Sequence, residues 1–117
     1  MKIPDHPTLI RRMLDSRLRQ MQAHSPLLIA SLVEIARSCG KPGCACQEGK
    51  KHVGRYLTFK EKGKTRTVYV PRDLESEVRT WVQEHQRLRH LSQEISQLAV
   101  AQIRSHVRTK RRRAGRT

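Results

Sequence analysis

The sequence predicts an α+β fold. We expect an N-terminal helix, a small antiparallel sheet of about three strands with a Cys/His zinc knuckle, a long C-terminal helix and a basic tail. Three observations predict this fold: a hairpin pattern within residues 55–70, three closely spaced cysteines, and an uninterrupted helical repeat after residue 72. A chain of 117 residues has room for one domain. We therefore expect a single zinc-stapled domain over residues 1–107 and a tail over residues 108–117.

The N-terminal helix is predicted over residues 8–23. Apolar side chains recur there at spacings of three and four, at Ile10, Met13, Leu14, Leu18 and Met21. Asp5 and Pro7 are suitable residues for the start of the helix. We expect Ser25-Pro26 to end it, because the residue before a proline is disfavoured in helical angles.

Residues 27–37 fit either a helix or a strand by periodicity alone. Val33 and Ile35 alternate with Glu34, and the segment is rich in β-branched side chains. These features favour a strand that leads into the cysteines.

Residues 55–70 predict a β-hairpin with Lys62-Gly63 at its turn. The predicted register places Lys60 opposite Thr65 and Tyr56 opposite Tyr69. One face of the hairpin is then apolar enough to meet a core, and it holds Leu57, Phe59, Arg66, Val68 and Val70. The other face holds Tyr56, Thr58, Lys60, Thr65, Thr67 and Tyr69.

A long helix is predicted after Pro71. Acidic residues suit its first turn, and neither glycine nor proline interrupts residues 72–114. Apolar residues then follow at helical spacing from Leu74 to Ile103. We expect a helix of about 30 residues, roughly 45 Å long. The N-terminal helix, a second copy of the chain or another partner must cover the outer half of this helix. We expect the basic tail to be disordered unless a partner binds it.

The cysteines and one histidine form the chemical motif of the chain. Cys39, Cys44, Cys46 and His52 follow the spacing C-x4-C-x-C-x5-H, with glycines between them that allow tight turns. Three thiolates and an imidazole are an ordinary ligand set for a structural zinc ion, so we expect Zn2+ at these four residues. Three cysteines without metal, a redox pair of cysteines, and water or another chain in place of His52 are the alternatives.

These residues resemble a family of small bacterial domains of unknown function that are often encoded beside transposases and other mobile-element genes. The resemblance rests on Cys39-Gly-Lys-Pro-Gly-Cys44-x-Cys46 together with Gly63-Lys-Thr-Arg-x-Val-Tyr-Val-Pro71. It extends over roughly residues 25–100. It implies a mobile-element or defence context without a defined activity.

The charge of the chain is concentrated in two regions. The net charge is +15, and residues 37–72 carry ten basic and two acidic side chains. Residues 104–117 carry seven basic side chains and no acidic one, whereas residues 73–103 carry three basic and five acidic ones. Two separate basic regions predict two contact regions for a polyanion.

We therefore expect the protein to bind nucleic acid through the hairpin and the tail, as an accessory protein. A sheet with tyrosines suits single-stranded RNA and a rigid hairpin suits a DNA major groove, so the choice between DNA and RNA stays open. An arginine-tailed protein of this kind also suits a ribonucleoprotein subunit. The expected contacts are basic, hydroxyl and tyrosine side chains, namely Lys41, Lys50, Lys51, Arg55, Tyr56, Thr58, Lys60, Lys62, Lys64, Thr65, Arg66, Thr67, Tyr69, Arg104, Arg108, Lys110, Arg111, Arg112, Arg113 and Arg116.

The main alternative is a protein-interaction adaptor, which dimerises or binds a larger partner through a coiled-coil seam of the long helix. An enzyme is not expected, because Glu48 and Glu61 are the only carboxylates of residues 37–72 and no phosphate-cradling glycine motif is present. Residues 1–25 lack the apolar run of a signal peptide, and no membrane association is expected. We expect a bacterial cytoplasmic protein associated with the nucleoid or a ribonucleoprotein.

The zinc hypothesis predicts about one zinc ion per purified chain. Replacing Cys44 by Ser should lose the metal and unfold the sheet, because metal binding and folding are coupled in such sites. Elemental analysis measures the metal and far-UV circular dichroism measures the fold. An intact fold in a metal-free Cys44→Ser variant would contradict the hypothesis.

Overall fold

The computed structural model describes residues 1–37, 43, 49 and 52–115. Its elements are, in chain order, α1 (Pro7–Gln20), β1 (Ser31–Arg37), β2 (His52–Glu61), β3 (Lys64–Val70), a short 3-10 helix (Arg72–Leu74) and α2 (Glu75–Ala114). The α+β class, with an N-terminal helix, three antiparallel strands and a long C-terminal helix, is confirmed.

The chain forms two compact units. One comprises Met1–His24 with Gln86–Thr117, and the other comprises Ser25–His85. Helix α2 contributes residues to both. Each unit has its own small apolar core.

The sheet unit contains the strands in the order β1-β2-β3, each antiparallel to its neighbour. The hairpin register is the predicted one, with Lys60 opposite Thr65 and Tyr56 opposite Tyr69. At the turn, φ is 50° for Lys62 and 79° for Gly63. Positive φ at both central residues gives a tight turn whose twist matches that of the strands.

The core of the sheet unit lies between one face of the sheet and the first turns of α2. It is formed by Leu57, Val70, Val78 and Val82, with Leu28, Ala30, Leu32, Phe59 and Trp81 packed against it. The amide of Leu28 donates a hydrogen bond to the carbonyl of Trp81 at 3.0 Å. The face predicted to be apolar is thus the face that meets the core.

The helical unit packs α1 against the later turns of α2. Its core consists of Ile10, Leu14 and Leu98, with Ile3, Met13, Ile95 and Ala101 around them. Much of the apolar repeat of the long helix is therefore covered by the chain itself.

Helix α1 begins at Pro7, one residue before the predicted start, but it ends earlier than predicted. His6 caps its start, since its Nδ1 accepts a hydrogen bond from the amide of Thr8 at 3.2 Å. The helix ends at Gln20, before the predicted stop at Ser25-Pro26. There the guanidinium of Arg87 donates to the carbonyls of Gln20 and Gln22 at 2.9 and 2.7 Å. Arg87 thus satisfies carbonyls that lack partners beyond the last helical turn.

Helix α2 is longer than predicted. It has 40 residues and reaches Ala114, so it includes most of the segment expected to be a disordered tail. Lysine and arginine are good helix formers, and their charges interact favourably with the C-terminal end of a helix dipole. Within the described part of the chain, no helix combines the length and the apolar character needed to span a membrane.

Candidate nucleic-acid interface

The face of the sheet opposite the core is the centre of the candidate interface. The strand register places on it Ser31, Val33, Ile35 and Arg37 from β1, His52, Gly54, Tyr56, Thr58 and Lys60 from β2, and Thr65, Thr67 and Tyr69 from β3. We call these residues the outer face. All six hairpin residues predicted for this face lie on it. Its described residues include no carboxylate.

Two tyrosines form an aromatic pair on the outer face. Tyr56 and Tyr69 are opposite each other on β2 and β3, with ring centroids 5.5 Å apart and ring planes at 64°. This is an edge-to-face arrangement, which the charge distribution of aromatic rings favours. Tyr69 is 56% exposed, whereas Tyr56 is partly buried.

Arg37 and Gly54 complete the surroundings of this pair. The guanidinium carbon of Arg37 lies 4.8 Å from the centroid of the Tyr56 ring, a cation–π contact. A Cβ atom at Gly54 would lie 3.1 Å from Cε2 of Tyr56 and 3.4 Å from Cε2 of Tyr69. Because Gly54 has no side chain, the rings of Tyr56 and Tyr69 can lie close to its backbone. Neither Arg37 nor Gly54 was predicted as a site residue, although continued alternation along residues 31–37 places Arg37 on the face of Val33 and Ile35.

The tip of the hairpin carries four cations. Lys60, Lys62, Lys64 and Arg66 are exposed, and none forms an ion pair with another described residue. Glu61 contributes a single negative charge beside them. The tip is thus a compact positive surface whose charges are available to an anionic ligand.

Arg55 differs from the other predicted contact residues. It lies on the core side of the sheet, where its Nη1 is 2.8 Å from Glu34 and its Nε is 3.0 Å from Glu75. Glu75 also accepts a hydrogen bond from Arg79 at 3.0 Å. The hydrogen bond and charge of Glu34, followed by those of Glu75, raise the pKa of Arg55. Arg55 therefore joins β1, β2 and the start of α2, and its charge is matched inside the unit.

The last turns of α2 form a second positive surface, which belongs to the helical unit. Its exposed cations are Arg104, Arg108, Lys110, Arg111, Arg112 and Arg113. No Asp or Glu occurs between Ile95 and Ala114. Arg104, Arg108 and Arg112 recur every four residues and so share one side of the helix.

Several predicted site residues lie outside the described part of the chain. They are Lys41, Lys50, Lys51 and Arg116, together with the predicted ligands Cys39, Cys44 and Cys46. His52, the remaining predicted ligand, is exposed and opens β2 opposite Arg37. Among residues 1–37, 43, 49 and 52–115, no group of three His, Cys, Asp or Glu side chains is placed to hold a metal ion.

Comparison with known proteins gives a family but no activity. Residues 10–80 match a family described as a domain of unknown function, DUF6788. The chain belongs to this family. No curated protein and no solved structure gives a significant match. The DUF6788 region includes the whole hairpin, the aromatic pair and the cysteine segment, whereas the basic end of α2 lies beyond it. Membership of a family of unknown function is confirmed, and the association with mobile elements stays a prediction.

The placement of Arg55 predicts that it contributes to stability and not to ligand binding. Arg55→Gln should lower the melting temperature modestly, because it removes two ion pairs, while the affinity for nucleic acid stays within about twofold. Arg66→Gln, which removes the same charge from an exposed position, is the matched control and should weaken binding without lowering the melting temperature. Thermal melting and fluorescence anisotropy measure the two effects. A reversed pattern would place Arg55 in the interface.

Proposed function

We propose that this protein is a non-enzymatic nucleic-acid-binding accessory protein of a bacterial mobile-element or defence system. The observation that supports it most is the hairpin tip, where Lys60, Lys62 and Lys64 are exposed and form no ion pair within the described residues. They lie at the end of a sheet face that carries two tyrosines and no described carboxylate. The setting in a mobile-element or defence system rests on the sequence resemblance.

The electrostatics favour a polyanion of high charge density. Residues 37–72 carry a net charge of +8 and residues 104–117 carry +7. When lysine and arginine neutralise phosphates, counterions leave the nucleic acid, and this release drives binding at low salt. We propose that this polyanion is a nucleic acid of the bacterial cytoplasm. The protein would then be a component of the nucleoid or of a ribonucleoprotein.

A structural zinc ion is part of the proposal. Cys39, Cys44, Cys46 and His52 provide three thiolates and one imidazole, which suit tetrahedral zinc. The segment that contains the cysteines connects Arg37 to His52, and these two residues are register partners at the ends of β1 and β2. Zinc bound there would stabilise the end of the sheet next to Tyr56, and we assign it no part in a reaction.

Neutralising each basic surface separately tests the proposal. One variant changes the hairpin tip with Lys60→Gln, Lys62→Asn and Lys64→Gln, and the other changes Arg111, Arg112 and Arg113 to Gln. Asparagine is chosen at position 62 because it tolerates positive φ, and Asn-Gly is a favoured turn. A third variant, with Lys2, Arg12 and Arg19 changed to Gln, removes the same charge from exposed positions in and near α1.

Both surface variants should show weaker binding and a shallower dependence of affinity on salt. Each lost phosphate contact should reduce the slope of log K against log salt by about 0.7 to 0.9. The control variant should keep the wild-type slope. Anisotropy titrations at several salt concentrations provide the measurement. Wild-type affinity that does not fall with added salt, or equal slopes in all variants, would reject the nucleic-acid proposal.

A protein-interaction adaptor is the second candidate function, and one observation favours it. Val100, Ile103 and Val107 are 41%, 63% and 39% exposed at helical spacing on α2. Exposed apolar side chains at this spacing are typical of a helix that packs against another helix. Other apolar residues of the long helix, among them Leu91 and Leu98, are buried inside the chain.

Sedimentation equilibrium tests whether this stripe joins two copies of the chain. If it does, the wild type sediments as a dimer, and Ile103→Glu dissociates it by placing a charge in the contact. Ile29→Glu is the matched control, since Ile29 is 71% exposed and lies in the sheet unit. A monomeric wild type would exclude a dimerisation function.

A further inference from the structure

We infer that the outer face binds single-stranded RNA by stacking an unpaired base on Tyr69. The inference rests on the proposed function and specifies its ligand. The feature that carries it is an exposed aromatic ring held in place by Tyr56, Gly54 and Arg37.

Tyr69 provides the stacking surface. Its side chain is 56% exposed, and it lies on a face without described carboxylates. Its neighbour Tyr56 meets it edge to face at 5.5 Å between centroids. Such a contact restricts the ring of Tyr69 while leaving surface for a base, so little ordering is required when a base stacks.

Gly54 and Arg37 fix the other ring of the pair. A Cβ at Gly54 would approach Cε2 of Tyr56 to 3.1 Å, so an alanine there would move the Tyr56 ring by a few tenths of an ångström. The guanidinium of Arg37, 4.8 Å from the Tyr56 centroid, occupies one side of that ring. Arg37 thereby leaves Tyr69 as the ring open to a ligand, and it places a cation beside the base-stacking surface.

The ligand must have unpaired bases. In a duplex the faces of the bases are already stacked on each other, so an aromatic side chain on a sheet has no base face to contact. The cations Arg37 and Lys60 lie on the same outer face and complement a phosphate backbone that crosses it. These cations alone would also suit an acidic protein. An acidic protein has no planar base for Tyr69, so the cations and the exposed ring together favour a nucleic acid.

The threonines of the outer face favour RNA over DNA. Thr65 and Thr67 precede Tyr69 on the same side of β3, at steps of about 6.8 Å, and Thr58 is opposite Thr67 on β2. Among the described residues, none of these three hydroxyls has a hydrogen-bond partner. A ribose 2′-hydroxyl both donates and accepts hydrogen bonds, so this row of hydroxyls can recognise ribose.

Anisotropy titrations with the full-length protein test the inference. The probes are a labelled single-stranded RNA of mixed sequence, the DNA strand of the same sequence, and the corresponding RNA duplex. Tyr69→Ala should weaken binding to the single-stranded RNA about 5- to 150-fold, the range expected for losing one stacked base. Tyr69→Phe keeps the ring and should bind almost as the wild type does. Val68→Ala, at an exposed neighbour that points to the other face, is the matched control.

The salt dependence separates stacking from a loss of charge or fold. Tyr69→Ala should lower affinity at every salt concentration and leave the salt slope unchanged, because no phosphate contact is lost. Gly54→Ala keeps both rings but shifts the Tyr56 ring by a few tenths of an ångström against Tyr69, so it should weaken RNA binding less than Tyr69→Ala does, with an unchanged slope. Thermal melting identifies any variant that fails to fold, and the Tyr69→Phe result then decides whether the ring or the hydroxyl matters.

Distinct outcomes overturn the inference and the proposed function. If Tyr69→Ala binds RNA as tightly as the wild type while the hairpin-tip variant loses affinity, stacking is rejected and nucleic-acid binding stands. Equal affinity for the RNA duplex, or for the DNA strand, would also overturn the assignment of single-stranded RNA. If the wild type binds none of the three probes, the inference fails, and the proposed function fails with it when duplex DNA of the same sequence is not bound either.

Discussion

Along β2, successive side chains alternate between the core and the outer face, and both the stability and the candidate interface depend on this alternation. Leu57 and Phe59 face the core, whereas Tyr56, Thr58 and Lys60 face outward. A slip of one residue in the pairing with β3 would exchange the two sets completely. The Lys62-Gly63 turn prevents that slip, because a two-residue turn with positive φ at both positions sets the pairing of the strands it joins.

The chain has little apolar material with which to hold this arrangement. Its fully buried large side chains are Ile10 and Leu98 within the described residues, and both belong to the helical unit. The core of the sheet unit relies on Leu57, Val70 and two valines of α2. Polar contacts supplement this core, notably the ion pairs of Arg55 with Glu34 and Glu75. A thin core is also where a structural metal adds most, which gives the proposed zinc ion a physical purpose.

Features determined by nearby residues could be predicted from the sequence, and features determined by distant residues could not. The hairpin register follows from one turn, and the apolar face of β2 follows from alternation, so both predictions are confirmed. The role of Arg55 depends on Glu75, twenty residues away, and the end of α1 involves Arg87, sixty-seven residues from Gln20. No local pattern contains such pairings. The cysteine site stays a prediction, since its three thiols lie outside the described residues.

The turn of the hairpin has a consequence for the balance between stability and function. Lys62 adopts a left-handed backbone conformation, which costs about 1 to 2 kcal/mol for a residue with a side chain. Asparagine or glycine would reduce this cost, so selection for stability alone would not favour lysine here. If the tip meets phosphates as proposed, Lys62 is a position where the fold accepts strain in order to place a cation at its outermost point.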